Sequence, residues 1–130
     1  MSNVQDNLNS RRTIYRFLDE EVNISDLESA FKAASNAPCH KQTHPWKFYV
    51  LGDETRKKLL PRVVQLSMEK STLLDDENTI DAKNRAVSKI MDIPVIIAVS
   101  SKLSPNDSFR EEEDYAATVC SLHNLVLSLW

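Results

Sequence analysis

Glycine is nearly missing from this chain: Gly52 is the single one in 130 residues. Glycine supplies positive-φ turns and the close backbone approaches by which loops cradle phosphate. A phosphate here must therefore be held mainly by side chains, or by chain outside these residues. Cysteine is scarce too. Cys39 and Cys120 are the only two, and no tight Cys-x-x-Cys pair exists to nucleate a zinc site, so both are read as free thiols, with Cys120 buried as a small apolar side chain. Long apolar runs are absent: stretches such as 94–99 fall far short of the roughly 20 residues that cross a bilayer. The opening MSNVQDNLNS lacks the basic-then-apolar order of a signal peptide, which predicts a cytoplasmic protein with no membrane partner. Basic excess is missing as well. With 16 basic and 19 acidic residues the net charge is −3, and nothing draws the chain to nucleic acid.

The composition present is that of a globular protein: 42% hydrophobic and 27% charged. At this length folding hides roughly two-thirds of the unfolded surface, enough for one domain over residues 1–130. Residues 4–9 predict a short helix. Ser25 with Glu28 reads as a capping box opening a helix with Leu27, Ala30, Phe31 and Ala34 on one face, ending near Asn36 because Pro38 disfavours helix at Ala37. WKFYVL at 46–51 predicts a strand closed by Gly52-Asp53, with Asp53 a candidate cap for the next helix. Leu59, Leu60, Val63, Val64 and Leu66 continue a helical stripe in which Pro61 either sits in the first turn or kinks the axis. Residues 69–84 turn polar and predict a mobile surface connection before a short helix at 86–90. The apolar run 94–99 predicts a strand covered on both faces. Ser108 with Glu111 reads as a second capping box, and Tyr115, Val119, Leu122, Val126 and Leu129 mark a long amphipathic helix running uncapped to Trp130.

Two segments concentrate donors. Arg11-Arg12-Thr13, with Arg16 close in sequence, offers two guanidinium forks and a hydroxyl suited to phosphate oxygens. The loop 37–46 carries Cys39, His40, Lys41 and His44 directly before Trp46, and a lysine or protonated histidine there would favour a negatively charged cofactor edge. Cys39, His40, His44, Cys120 and His123 are also zinc-ligand types, the weaker reading of the same residues. His123 is read as bonding a neighbouring carbonyl, Trp46 and Trp130 as core or interface anchors, and 111–114 as a helix first turn whose acids favour the macrodipole.

RRTIYRF at 11–17, a capped helix, and then APCHKQTHPWKFYV at 37–50 together resemble, in order and spacing, the two opening motifs of the nitroreductase family. DIPVIIAV at 92–99 is similar to that family's central strand, and DYAAT through LHNLVL at 114–127 to its long central helix. His40-Lys41 resembles the small single-domain subgroup. The resemblance implies an α+β, nitroreductase-like fold with a central sheet flanked by helices, a homodimer, and FMN held at the subunit interface. It also implies hydride transfer from NAD(P)H to small oxidised acceptors such as nitroaromatics, quinones or enones. Carried over residue by residue, Arg11, Arg12 and Thr13 would bind the flavin. His40 from the other subunit would reach the same flavin and Lys41 would tune its charge. Asn36 stands at a cofactor position where the subgroup tends to carry arginine. The family's later glycine-containing turn, further strand and C-terminal arm are not among these residues. The competing class is a non-catalytic dimerisation or regulatory relative, or a gene fragment, that has lost the flavin; Asn36 and the missing C-terminal portion favour it.

Overall fold

The computed structural model describes residues 3–73 and 79–130. In chain order these form helix α1 (Val4–Ser10), helix α2 (Ile24–Ser35), a 3-10 turn (His40–Gln42), strand β1 (Trp46–Val50), helix α3 (Asp53–Leu73), helix α4 (Thr79–Met91), strand β2 (Ile97–Ser101) and helix α5 (Ser108–Ser128). The sheet among the described residues is the pair β1–β2. The amide of Lys102 donates to the Pro45 carbonyl at 2.8 Å and that of Leu51 to Ile96 at 2.9 Å. That pairing runs the strands antiparallel, with Trp46 opposite Ser101 and Val50 opposite Ile97. The chain divides into two compact units, one of residues 1–15, 22–49 and 98–130, the other of residues 16–21 and 50–97.

In the first unit α2 packs on α5. Ala30 and Ala34 of α2 are buried, and α5 answers with Asp114, Ala117, Thr118, Ser121 and Leu125. Small residues let the two backbones approach closely enough for direct side chain to backbone bonds. The Ser121 hydroxyl donates to the Ala34 carbonyl at 2.9 Å, and Asn124 Nδ2 to the Ala33 carbonyl at 3.3 Å. It is Asn124, not His123, that makes this bond; His123 is exposed, and so is Cys120, contrary to its expected burial. The expected apolar stripe of α5 does exist, but it lies roughly 100° around the helix from the packed face. Tyr115, Val119, Leu122, Val126 and Leu129 are 66%, 48%, 36%, 37% and 44% exposed.

The caps differ from the sequence expectation. α2 begins two residues earlier, capped by Asn23, whose side chain oxygen accepts from the Ser25 amide at 3.1 Å and the Ser25 hydroxyl at 3.0 Å. Starting there also gains bonds from the Asp26 and Leu27 amides to the Asn23 carbonyl. α5 is capped by Asp107, which accepts from the Arg110 amide at 3.0 Å, while Glu111 turns back to the Ser104 amide. A carboxylate at a helix start also meets the positive end of the dipole. α1 has a box of its own, Asn3 with Asp6.

In the second unit α3 packs on α4. Ala82 and Ala86 are buried, and the Ser67 hydroxyl donates to the Ala82 carbonyl at 3.1 Å. The polar stretch expected to be a loose connection is helical at 69–73 and 79–84; its middle, 74–78, lies outside the described residues. Pro61 sits in the interior of α3 rather than its first turn, so the Lys57 carbonyl loses its usual amide partner. Asp53 is the first residue of α3. β2 starts three residues later than its apolar run predicts, and Ile97, Ala98 and Val99 are half-buried rather than covered on both faces. Arg56 holds the residues ahead of the strand. Buried at 5% exposure, it donates from Nε to the Leu51 carbonyl at 3.0 Å, from Nη1 to Ile93 and from Nη2 to Pro94 at 3.1 Å, holding 93–94 in a loop tied to the start of α3.

Candidate functional site

The loop between α2 and β1 carries backbone strain that glycine would ordinarily absorb. Lys41 (φ 52°), Gln42 (φ 52°) and His44 (φ 42°) are all left-handed, whereas Gly52 is not. Such conformations cost a non-glycine residue of order 1–3 kcal/mol each and persist only where the surroundings impose them. Here the restraints are explicit. The amides of Gln42 and Thr43 donate back to the Cys39 and His40 carbonyls, both at 3.3 Å. The His44 ring stands edge-on to Trp46, centroids 5.4 Å apart, with its Nδ1 3.8 Å from the Cys39 sulfur. The Thr43 hydroxyl donates to Asp114 Oδ1 at 2.7 Å, a charge-assisted bond from the loop to the buried face of α5.

Asp114 is only 2% exposed, and its second oxygen, Oδ2, has no hydrogen bond, with Arg110 Nε 3.7 Å away. Beside it a pocket of about 100 Å³ is lined by His40, Lys41, Thr43, Phe109, Arg110 and Asp114, among others. His40 Nδ1 lies 3.9 Å from Glu113 Oε2 at the pocket rim. Neither Thr43 nor Asp114 was singled out by sequence. Asp114 reads as one more acid of a helix first turn until its register with Ala117, Thr118 and Ser121 shows it on the packed face.

Arg11 follows α1 and donates its amide to the Asn7 carbonyl at 3.0 Å; its side chain is half-buried. Arg12 is exposed, and its Nη1 donates to the carbonyls of Asn9 and Arg11 at 2.9 and 2.8 Å. Thr13 is exposed. Among the described residues no carboxylate pairs with Arg11, Arg12 or Lys41. Their donors are thus uncommitted to any acid, the chemistry an incoming oxyanion needs, and the donor set fits a phosphate-bearing cofactor. Asn36 caps α2, one N–H of its Nδ2 donating to the Lys32 carbonyl at 2.8 Å.

One chain does not bring the two donor segments together. The Trp130 indole donates to the Ser10 hydroxyl at 2.7 Å, which ties the residues before Arg11 to the C-terminal end of α5. His40 and Thr43 instead meet Glu113 and Asp114 near its N-terminal end. At ~1.5 Å rise per residue these ends lie roughly 20 Å apart. No group of three or more metal-ligand side chains gathers among the described residues, and no helix among them is long and apolar enough to cross a membrane.

YfhC of Bacillus subtilis (strain 168), provisionally named an NAD(P)H nitroreductase, is 28% identical over 128 residues, covering 98% of this chain and 63% of YfhC. The crystal structure of a nitroreductase-like family protein from Bacillus cereus superposes with a TM-score of 0.74 at 26% identity, over 100% of this chain and 65% of that one. Oxidised iodotyrosine deiodinase bound to FMN and 3-iodo-L-tyrosine gives 0.66 at 25% identity, over 97% and 68%. The chain thus spans somewhat under two-thirds of the length of YfhC and of the Bacillus cereus protein. The family model described as Nitroreductase family matches residues 8–130, and the chain belongs to the nitroreductase family.

Proposed function

We propose that this chain forms the FMN-binding part of a cytoplasmic, homodimeric oxidoreductase that uses NAD(P)H to reduce small oxidised acceptors. When bound, FMN would supply the hydride-transfer chemistry that links NAD(P)H to a nitroaromatic, quinone or enone. The chain's own part is binding and orientation. Arg11 and Arg12 hold the phosphate end, Thr13 orients the ribityl or pyrimidine edge, and His40 and Lys41 approach from the other subunit, Lys41 favouring the negatively charged form of the cofactor.

The observation that carries this reading is the separation of the two donor segments along α5. Two chains with α5 helices side by side and antiparallel bring Arg11 of one beside His40 of the other, and the open stripe around Val119 and Leu122 is the surface on which they would meet. Val119→Lys puts a charge on that stripe without touching the α2–α5 packing. It should convert a dimer to a monomer in sedimentation velocity and lose FMN retention, with far-UV circular dichroism unchanged. A monomeric variant that keeps its flavin would overturn the shared site. One observation favours the competing reading of a relative without flavin: at Asn36, placed at a cofactor position by resemblance, a short amide bonded to the Lys32 carbonyl stands in place of a guanidinium.

A further inference from the structure

We infer that Asp114 is a positioning residue for the cofactor-facing turn, acting through Thr43 to hold His40 and Lys41 in the geometry that meets the flavin; the flavin part of this inference rests on the function proposed above. Three facts converge on it. The turn is left-handed at Lys41, Gln42 and His44 with no glycine to relax it, so something outside the turn must hold it. Within the turn the restraints are weak ones, two amide bonds of 3.3 Å and the 3.8 Å approach of His44 Nδ1 to the Cys39 sulfur. The short bond from the Thr43 hydroxyl ties the turn to a buried carboxylate, and that carboxylate lies on the α2–α5 packed face beside Ala117 and Ser121.

The charge balance gives the same answer. A carboxylate 2% exposed is costly to bury, and Oδ1 receives the Thr43 hydroxyl while Oδ2 has only Arg110 at 3.7 Å. Asp114 therefore depends on the turn as the turn depends on it. Its own helix offers Asp114 only Arg110 at 3.7 Å, and the loop that carries His40 and Lys41 supplies the short bond. Thr118 shows the contrast, since its hydroxyl is satisfied within α5 by the Asp114 carbonyl at 2.9 Å as well as by Ser101.

The test compares Thr43→Val, Thr43→Ser and Asp114→Asn in the intact chain. It uses amide hydrogen exchange across 39–44 and FMN titration by flavin fluorescence. Thr43→Val keeps the side-chain shape and removes the donor. It should speed exchange in the turn and raise the FMN dissociation constant by roughly tenfold, while exchange in the α2–α5 core stays protected. Thr43→Ser restores the hydroxyl and should recover both readouts. Asp114→Asn keeps an oxygen for Thr43 to donate to and should leave exchange in the turn close to that of the unaltered chain. Equal flavin affinity in Thr43→Val and the unaltered chain overturns the positioning role. Turn exchange that does not change shows the bond is idle and overturns it too. If the unaltered chain binds no FMN, the function proposed above fails and the flavin half of this inference fails with it. The exchange measurement then decides by itself whether Asp114 holds the turn.

Discussion

Arg56→Ala is expected to destabilise the second unit by about 3 kcal/mol or more, read as a lower urea midpoint with circular dichroism as the probe. The side chain is buried without a carboxylate partner among the described residues, and carbonyl oxygens of Leu51, Ile93 and Pro94 surround it, with Ile90 at 3.5 Å. Ile90 belongs to the last turn of α4, where carbonyls have no amide partner of their own and a cation is favoured by the helix dipole. Removing the guanidinium leaves these oxygens unpaired and a cavity besides. Arg56→Lys keeps the charge but not the planar fork, and should recover only a minor part of the loss. A variant as stable as the original chain would show that water replaces the guanidinium at no cost.

Arg11→Ala is expected to raise the FMN dissociation constant by roughly 10- to 100-fold, the loss of one charge-assisted phosphate contact of about 1.5–3 kcal/mol. Fluorescence titration reads it directly. Arg11 is the informative choice because its side chain is half-buried and in no ion pair among the described residues, whereas Arg12 already spends Nη1 on two carbonyls. Unchanged flavin affinity would remove Arg11 from the site.

The sequence carried the ordered helices and both strands because hydrophobic period and turn residues act locally. It misplaced caps where two good capping residues lie close together, Asn23 beside Ser25 and Asp107 beside Ser108, since local chemistry barely separates them. It marked α5 as amphipathic without showing which face packs inside the chain. An apolar stripe is the natural candidate for the core, yet a close helix crossing selects Ala117, Thr118 and Ser121, leaving the stripe for another surface. The polar stretch around 69–84 is helical where described because packing of α3 on α4 overrides composition. The candidate site was legible in its donors, Arg11, Arg12, His40 and Lys41, because arginine, histidine and lysine announce their chemistry. Its support was not: a Thr43–Asp114 bond spans 71 positions, and three left-handed residues carry no glycine to mark them.

The central claim is that this chain holds a working flavin. The direct measurement is an absorbance spectrum of the purified protein after addition of FMN and removal of the excess by gel filtration, then again after NAD(P)H. A retained band at ~450 nm that bleaches on reduction is the expected result. A folded, dimeric protein that emerges colourless would contradict it.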